Sequence, residues 1–225
     1  MKKKDRIWIY LLYTIGILLM SLNVSFKSIG QVNSTTVKDI DGNEYKTVRI
    51  ATQTWMAENL KTTKYNDGKA IPLVPDNNER SMLKTGAYCY SADFATGASI
   101  NLLYNWYVVN TEKICPTGWH VPSDTEWDTL VIYLGGADVA GGKLKEADTI
   151  HWCAPNYGAN NSSGFTALPD IVRTKGFKGM IGVWWSSTEL NESNAWFRSL
   201  TSKIDGIVRW NYSKAADSSI RCLKD

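Results

Sequence analysis

Hydrophobic positions recur at helical spacing most clearly between Gly118 and Gly136. Trp127, Leu130, Val131 and Leu134 fall at i, i+3, i+4 and i+7, which places four apolar side chains on one helix face. Pro122 keeps Val121 extended, because the residue before a proline avoids the α region. Ser123, with Glu126 three positions on, forms a capping box, and Gly135-Gly136 ends the helix. The pattern therefore predicts a strand that turns directly into a capped amphipathic helix. A second helix is predicted over Val139–Ala147, with Gly141-Gly142 weakening its start.

Elsewhere the period shortens to two. Val37 to Tyr45 reads as a hairpin turning at Asp41-Gly42, and its second strand continues to Ile50. Gln53–Leu60 is a further strand that carries Trp55 into the core. Asn66-Asp67-Gly68 is a turn, and residues 72–79 form a loop running into a helical turn at Glu79–Leu83. Tyr88-Cys89-Tyr90 is a short strand followed by a polar loop, Ser91–Ser99. Leu102–Val109 is the densest apolar run outside the amino terminus, and its periodicity fits a buried helical turn or a buried strand equally. Trp152–Ser163 is rich in Asn, Gly and Ser and reads as a surface loop, followed by a buried segment at Gly164–Pro169. Strands follow at Val183–Ser187, Ala195–Leu200, Ile207–Trp210 and Ser218–Leu223. No repeat or internal boundary interrupts residues 37–225, so one α+β domain is expected there.

Residues 1–30 are set apart. Lys2, Lys3, Lys4 and Arg6 precede an apolar run from Ile7 to about Leu22, and Ser28-Ile29-Gly30 offers small residues for cleavage before Gln31. A signal peptide is the expectation, with an uncleaved membrane anchor as the competing reading. Residues 31–36 form a polar tether. Both readings put the domain outside the cytoplasm: secreted, periplasmic or at the cell surface. Membrane contact is expected only through an uncleaved leader. Taking the leader's five basic residues from 25 Lys+Arg and its one acidic residue from 22 Asp+Glu leaves 20 against 21. A domain of charge near −1 lacks the electrostatic footprint of a nucleic-acid binder. The four cysteines, Cys89, Cys115, Cys153 and Cys222, favour disulfides in an oxidising compartment, with three pairings open. With no Cys-x-x-Cys and two histidines, no metal site and no cofactor are expected.

Several motifs occur in order. They are Asn59-Leu60-Lys61-Thr62, Leu103-Tyr104-Asn105-Trp106, Cys115-Pro116-Thr117-Gly118-Trp119-His120-Val121-Pro122-Ser123, Ser163-Gly164-Phe165, Trp184-Trp185-Ser186-Ser187-Thr188-Glu189, Ala195-Trp196 and Ile220-Arg221-Cys222-Leu223-Lys224-Asp225. Over nearly all of residues 37–225 the chain resembles the Fibrobacter succinogenes major paralogous domain, found in exported proteins of that group and of the Bacteroidetes. It departs where Ser99-Ile100-Asn101-Leu102 replaces the family's usual Tyr-Gly-Arg, and Cys153 matches no family position. The family in turn is similar to the C-type lectin-like fold of formylglycine-generating enzymes. That resemblance implies a single C-type lectin-like domain of short twisted antiparallel strands, two helices and long loops. It also implies paired terminal strands and a Cys115–Cys222 disulfide, leaving Cys89 and Cys153 as a candidate second pair.

The resemblance does not carry over catalysis. Formylglycine-generating relatives use paired cysteines to bind copper and oxidise a substrate cysteine, whereas the cysteines here sit singly and far apart. His120 lies in a predicted strand, His151 has no evident partner, and helix capping and the helix dipole account for Asp124 and Glu126. No catalytic residue is expected. A glycan-binding module fits the composition better. Sugar sites use planar aromatics with carboxamides and carboxylates, and Trp152, Asn156, Tyr157 and Asn160 supply these in one loop, with Trp185, Glu189 and Trp210 joining from later strands. The calcium-lectin triplets Glu-Pro-Asn and Trp-Asn-Asp are absent. The expectation is a non-catalytic surface or secreted module binding a polysaccharide or glycan. The alternatives are an adhesin or structural protein contacting other proteins at the cell surface, and, more remotely, a formylglycine-type oxidase.

Overall fold

The alternating pattern of the first hairpin builds one edge of the main sheet. β1 (Thr36–Lys38) and β2 (Glu44–Ile50) pair antiparallel, Val37 opposite Tyr45. The Asp41-Gly42 turn is held by Asp39, whose Oδ1 accepts the amides of Asp41 and Asn43 at 2.9 Å each. β3 (Gln53–Met56) follows β2. Beyond β3 the neighbours are β11 (Leu223–Lys224) and then β6 (Trp119–His120), giving the order β1-β2-β3-β11-β6. The last strand of the chain thus sits inside the sheet, with Leu223 facing both Trp55 and His120. This computed structural model describes residues 35–92, 99–170 and 179–225. The proposed leader and the tether up to residue 34 lie outside them. The described residues belong to one unit, Ser34–Asp225.

Two three-stranded sheets complete the α+β architecture. β4 (Tyr88–Ala92), β5 (Ser99–Asn105) and β10 (Asp217–Ser218) form one, in the order β10-β5-β4. β7 (Ile181–Glu189), β8 (Asn194–Thr201) and β9 (Ile207–Ser213) form the other, with β9 on the outside. Successive strand residues point to opposite faces, so the adjacent Trp184 and Trp185 enter two different cores. Trp185 joins Tyr45, Met56, Tyr104, Trp106 and the Cys115–Cys222 disulfide in one. Trp184 joins Trp55, Trp127, Leu130 and Phe165 in the other.

Four helices are present among the described residues where two were expected. The capping-box helix is Asp124–Tyr133 (α3). The Ser123 hydroxyl accepts the Glu126 amide, and Glu126 Oε2 accepts the Ser123 amide at 2.8 Å. The second expected helix is Ala137–Leu144 (α4), which stops before Ala147 because Lys145 is extended and bridges to Ala167. Its glycines answer to packing rather than to helix propensity. A Cβ on Gly141 would lie 2.0 Å from the Gly206 carbonyl, and one on Gly142 1.9 Å from Asp205 Oδ1. The extra helices are short. Asn77–Ser81 (α1) starts at Asp76, whose Oδ1 accepts the Glu79 amide at 2.8 Å. Trp106–Val109 (α2) is the second half of the ambiguous Leu102–Val109 run, which is strand up to Asn105 and helix after it. The buried Asn105 side chain causes the change, accepting the Ala87 amide and donating to the Thr85 carbonyl.

Cys115 and Cys222 form a disulfide. Cys89 and Cys153 do not form the candidate second bridge with each other. Cys89 belongs to β4 opposite Leu103, whereas Cys153 sits in a loop whose amide donates to Gly179. No helix among the described residues is long and apolar enough to cross a membrane.

Candidate functional site

The fold separates the residues that the sequence grouped as a ligand site. Trp152 is 1 % exposed and donates its indole N–H to the Ala167 carbonyl, so no ligand stacks on it. Trp185 is 0 % exposed and donates to the Tyr104 carbonyl, which removes it from any surface as well. Asn156 is buried too, its amide spent on the carbonyls of Glu146 and Asp148. Tyr157 and Asn160 remain exposed on the same loop, beside the β8–β9 turn, where the Tyr157 amide donates to Ser202. Glu189 lies at the end of β7 and is paired with Lys214 at 2.7 Å. Trp210 lies on β9. Loop and strands therefore present two separate groups, with Trp152 of the loop and Trp185 of β7 serving the core.

Trp210 belongs to a better-formed surface. Val208, Trp210 and Tyr212 alternate along β9 and point to one face, Trp210 being 61 % and Tyr212 60 % exposed. On that face the register sets Phe197 opposite Trp210, and Trp185 opposite Phe197. Trp185 and Phe197 meet edge to face with ring centroids 6.2 Å apart. An aromatic ladder thus climbs across the sheet from the core to solvent, with Trp185 as its buried foot and Trp210 as its open end. Below the β9 ledge is a groove of about 440 Å³, with Tyr212 and Ser213 on one wall, Asn77 and Ser81 of α1 on the other, and Val183 and Asp170 between.

Charged groups fix the walls of this groove. Arg80, buried in α1, sends Nε to Asp217 at 2.7 and 2.8 Å and Nη1 to the Val74 carbonyl at 2.7 Å. It thereby ties α1 to β10 and holds Asp217 at the rim. Asp170 is fully enclosed, accepting the Ser219 hydroxyl at 2.5 Å and the Val183 amide at 2.7 Å. Burial pushes its carboxyl up to about 7, against the lowering pull of those two hydrogen bonds and of Arg221. Both oxygens are occupied by the scaffold. His120 pairs through its two ring nitrogens with the carboxylates of Asp225 at 2.6 Å and Glu126 at 2.9 Å, and His151 pairs with Glu146 at 2.8 Å. Among the described residues no group of three His, Cys, Asp or Glu side chains converges as a metal site.

Tyr212, Asn77, Ser81 and Asp217 were not singled out from sequence. The Val208-x-Trp210-x-Tyr212 alternation was readable there, but β9 was expected to stop at Trp210 and instead continues to Ser213. The groove's other wall starts in the helical turn expected at Glu79–Leu83, but its place there depends on the long-range Arg80–Asp217 pair.

A family model described as the Fibrobacter succinogenes major domain matches residues 48–224. The chain belongs to this family. No curated protein and no solved structure matches it. Within the major domain, motif residues converge in the interior rather than at the ledge. Asn59 Oδ1 accepts both the Trp184 indole N–H at 2.8 Å and Arg221 Nη2 at 2.7 Å, while Asn59 Nδ2 donates to Ser219 at 3.0 Å. The Arg221 guanidinium lies 4.1 Å over the Phe165 ring and donates to the Phe165 carbonyl. These major-domain motifs are scaffold, and the exposed face of β9 lies outside them.

Proposed function

We propose that this protein is an exported, non-catalytic binding module with a C-type lectin-like arrangement, and that its β9 ledge binds a polysaccharide. One observation carries the reading: Trp210 and Tyr212 stand exposed on one strand face beside a groove edged by Asn77, Ser81 and Asp217. Planar rings stack on pyranose faces, and neighbouring amide, hydroxyl and carboxylate groups bond sugar hydroxyls. The ledge is open along its length, which suits a chain rather than a single buried sugar. A non-catalytic role is favoured because Asp170 is engaged through both oxygens and because Cys89 and Cys153 line neither this groove nor the two smaller ones. The disulfide and the leader-like amino terminus support a position outside the cytoplasm.

The test is tryptophan fluorescence of the purified protein titrated with a panel of soluble plant and microbial glycans. The expected outcome is saturable binding to at least one glycan, weakened about ten-fold or more by Trp210→Ala or Tyr212→Ala, which corresponds to roughly 1.4 kcal/mol. A panel without any response removes the glycan reading. It would leave the second one, in which β9, as an outer strand with exposed apolar side chains, pairs with an extended segment of a partner protein.

A further inference from the structure

A second groove, of about 380 Å³, is lined in part by the segment that follows α1. Its lining includes Tyr65, Lys69, Lys84, Thr85, Tyr107 and Lys113. This volume is within the range of small-ligand sites. Its chemistry differs from that of the β9 groove, since donors dominate and the charge is reversed. Three lysines share the lining with the carboxylate of Asp67, which is paired with Lys113 at 2.9 Å and also accepts the Lys69 amide at 3.0 Å. Among the described residues Lys69 and Lys84 have neither a salt bridge nor a side-chain hydrogen bond.

Tyr65 gives this surface the character of a built site. The residue is 7 % exposed and its ring belongs to the core, yet its hydroxyl meets no hydrogen-bond partner among the described residues. The phenol oxygen lies over Gly86, where a Cβ would come within 2.3 Å of it, so the glycine is what lets the hydroxyl reach the groove. The phenol oxygen is not among the enclosed polar atoms that lack a partner, so it opens on the groove and offers its O–H to an acceptor there. Burial, and secondarily Asp67, raise the phenol's pKa, so the group stays protonated and can only be improved by an acceptor.

We propose that this groove binds an oxyanion carried on a sugar, a uronate carboxylate or a sulfate ester, with the Tyr65 hydroxyl as a fixed donor at the groove and Lys69 and Lys84 as the charge partners. The glycan reading enters only through the carrier of the anion; the oxyanion site stands on this groove alone.

Calorimetric titration of the purified protein tests it, with trigalacturonate, a sulfated galactose oligomer and neutral cellotriose as probes. Binding of an acidic probe is expected, and it should weaken as salt is raised. Lys84→Gln should reduce the affinity at least ten-fold. Tyr65→Phe, which keeps the ring and hence the packing, should reduce it several-fold with an unchanged melting temperature. Trigalacturonate alone binding assigns a carboxylate and the sulfated oligomer alone a sulfate; both binding supports the shared oxyanion site. Neither acidic probe binding at low salt overturns the proposal, as does acidic binding left undiminished in both variants. Trp210→Ala separates the two sites. It should abolish neutral-glycan binding on β9 and leave binding of the acidic probe intact, so either site can fail without the other.

Discussion

Asp170 shows how a single enclosed carboxyl couples this scaffold to pH. It closes the buried chain that runs from Asn59 through Ser219 to the Val183 amide. Its carboxyl is held up to about 7 against an ordinary value of 3.8. The folded protein therefore keeps a proton that the unfolded chain releases near pH 4. Between those two values the native state binds more protons, so stability falls as pH rises across that window. Asp170→Asn removes the titration. The expected result is a wild-type-minus-variant difference in unfolding free energy that declines steadily from pH 4 to 7; a flat difference by urea titration would show that the carboxyl is ionised in the fold. His120 shifts the other way in mechanism. Burial lowers its pKa, but Asp225 and Glu126 together raise it above 6.5. Its contribution is lost only above that value, and it cancels in the comparison of wild type with Asp170→Asn.

At the scale of elements, α4 and the β8–β9 turn are joined by one cation. Lys145, fully buried, donates from Nζ to the carbonyls of Tyr157, Thr201 and Ile204 at 2.8, 2.9 and 2.9 Å. The ammonium performs the task of a bound metal ion, gathering three carbonyl oxygens from two loops. Lys145→Met would fill the space but leave those oxygens without a donor. A loss of about 3–5 kcal/mol is expected from the urea midpoint, and a loss under about 1 kcal/mol would mean that the loops close without it. None of this was legible in the sequence, where Lys145 was only a polar residue near a helix end. The elements themselves were easier. Capping box, apolar spacing and stop glycines located α3, and the Asp-Gly turn located the first hairpin, because those signals are local. Leu102–Val109 resisted because its turning point depends on Asn105 reaching Thr85 and Ala87, which is a tertiary event. The loop tryptophan misled for a similar reason. Trp152 sits in a polar stretch, and nothing nearby in sequence shows that Ala167 and the second core receive it.

Across the whole molecule, the disulfide and the central position of β11 make the two ends of the domain interdependent. Cys115 and Cys222 are 107 residues apart. Closing a loop of that length stabilises the fold by up to about 4–5 kcal/mol in the chain-entropy picture, with engineered bridges often giving less. Reduction under native conditions should lower the guanidinium midpoint by a corresponding amount while leaving Cys89 and Cys153 as they were. An unchanged midpoint would show that the native contacts of β11 alone carry the junction. Only part of the site's position was readable at this scale. A strand was expected at Ile207–Trp210, within β9, but the place of the α1 wall is fixed through Arg80 and Asp217, which are far apart in the chain.

The order β1-β2-β3-β11-β6 also sets a timetable. β3 and β6 are both made long before β11, and until Leu223 arrives the two have no partner between them. A chain emerging from its amino end therefore cannot close its main sheet early. The pairings that join β3 to β6 wait for the final segment, and such long-range pairings are slow to form. For the exported module proposed above, this late closure leaves β3 and β6 unjoined until the carboxy-terminal strand is available.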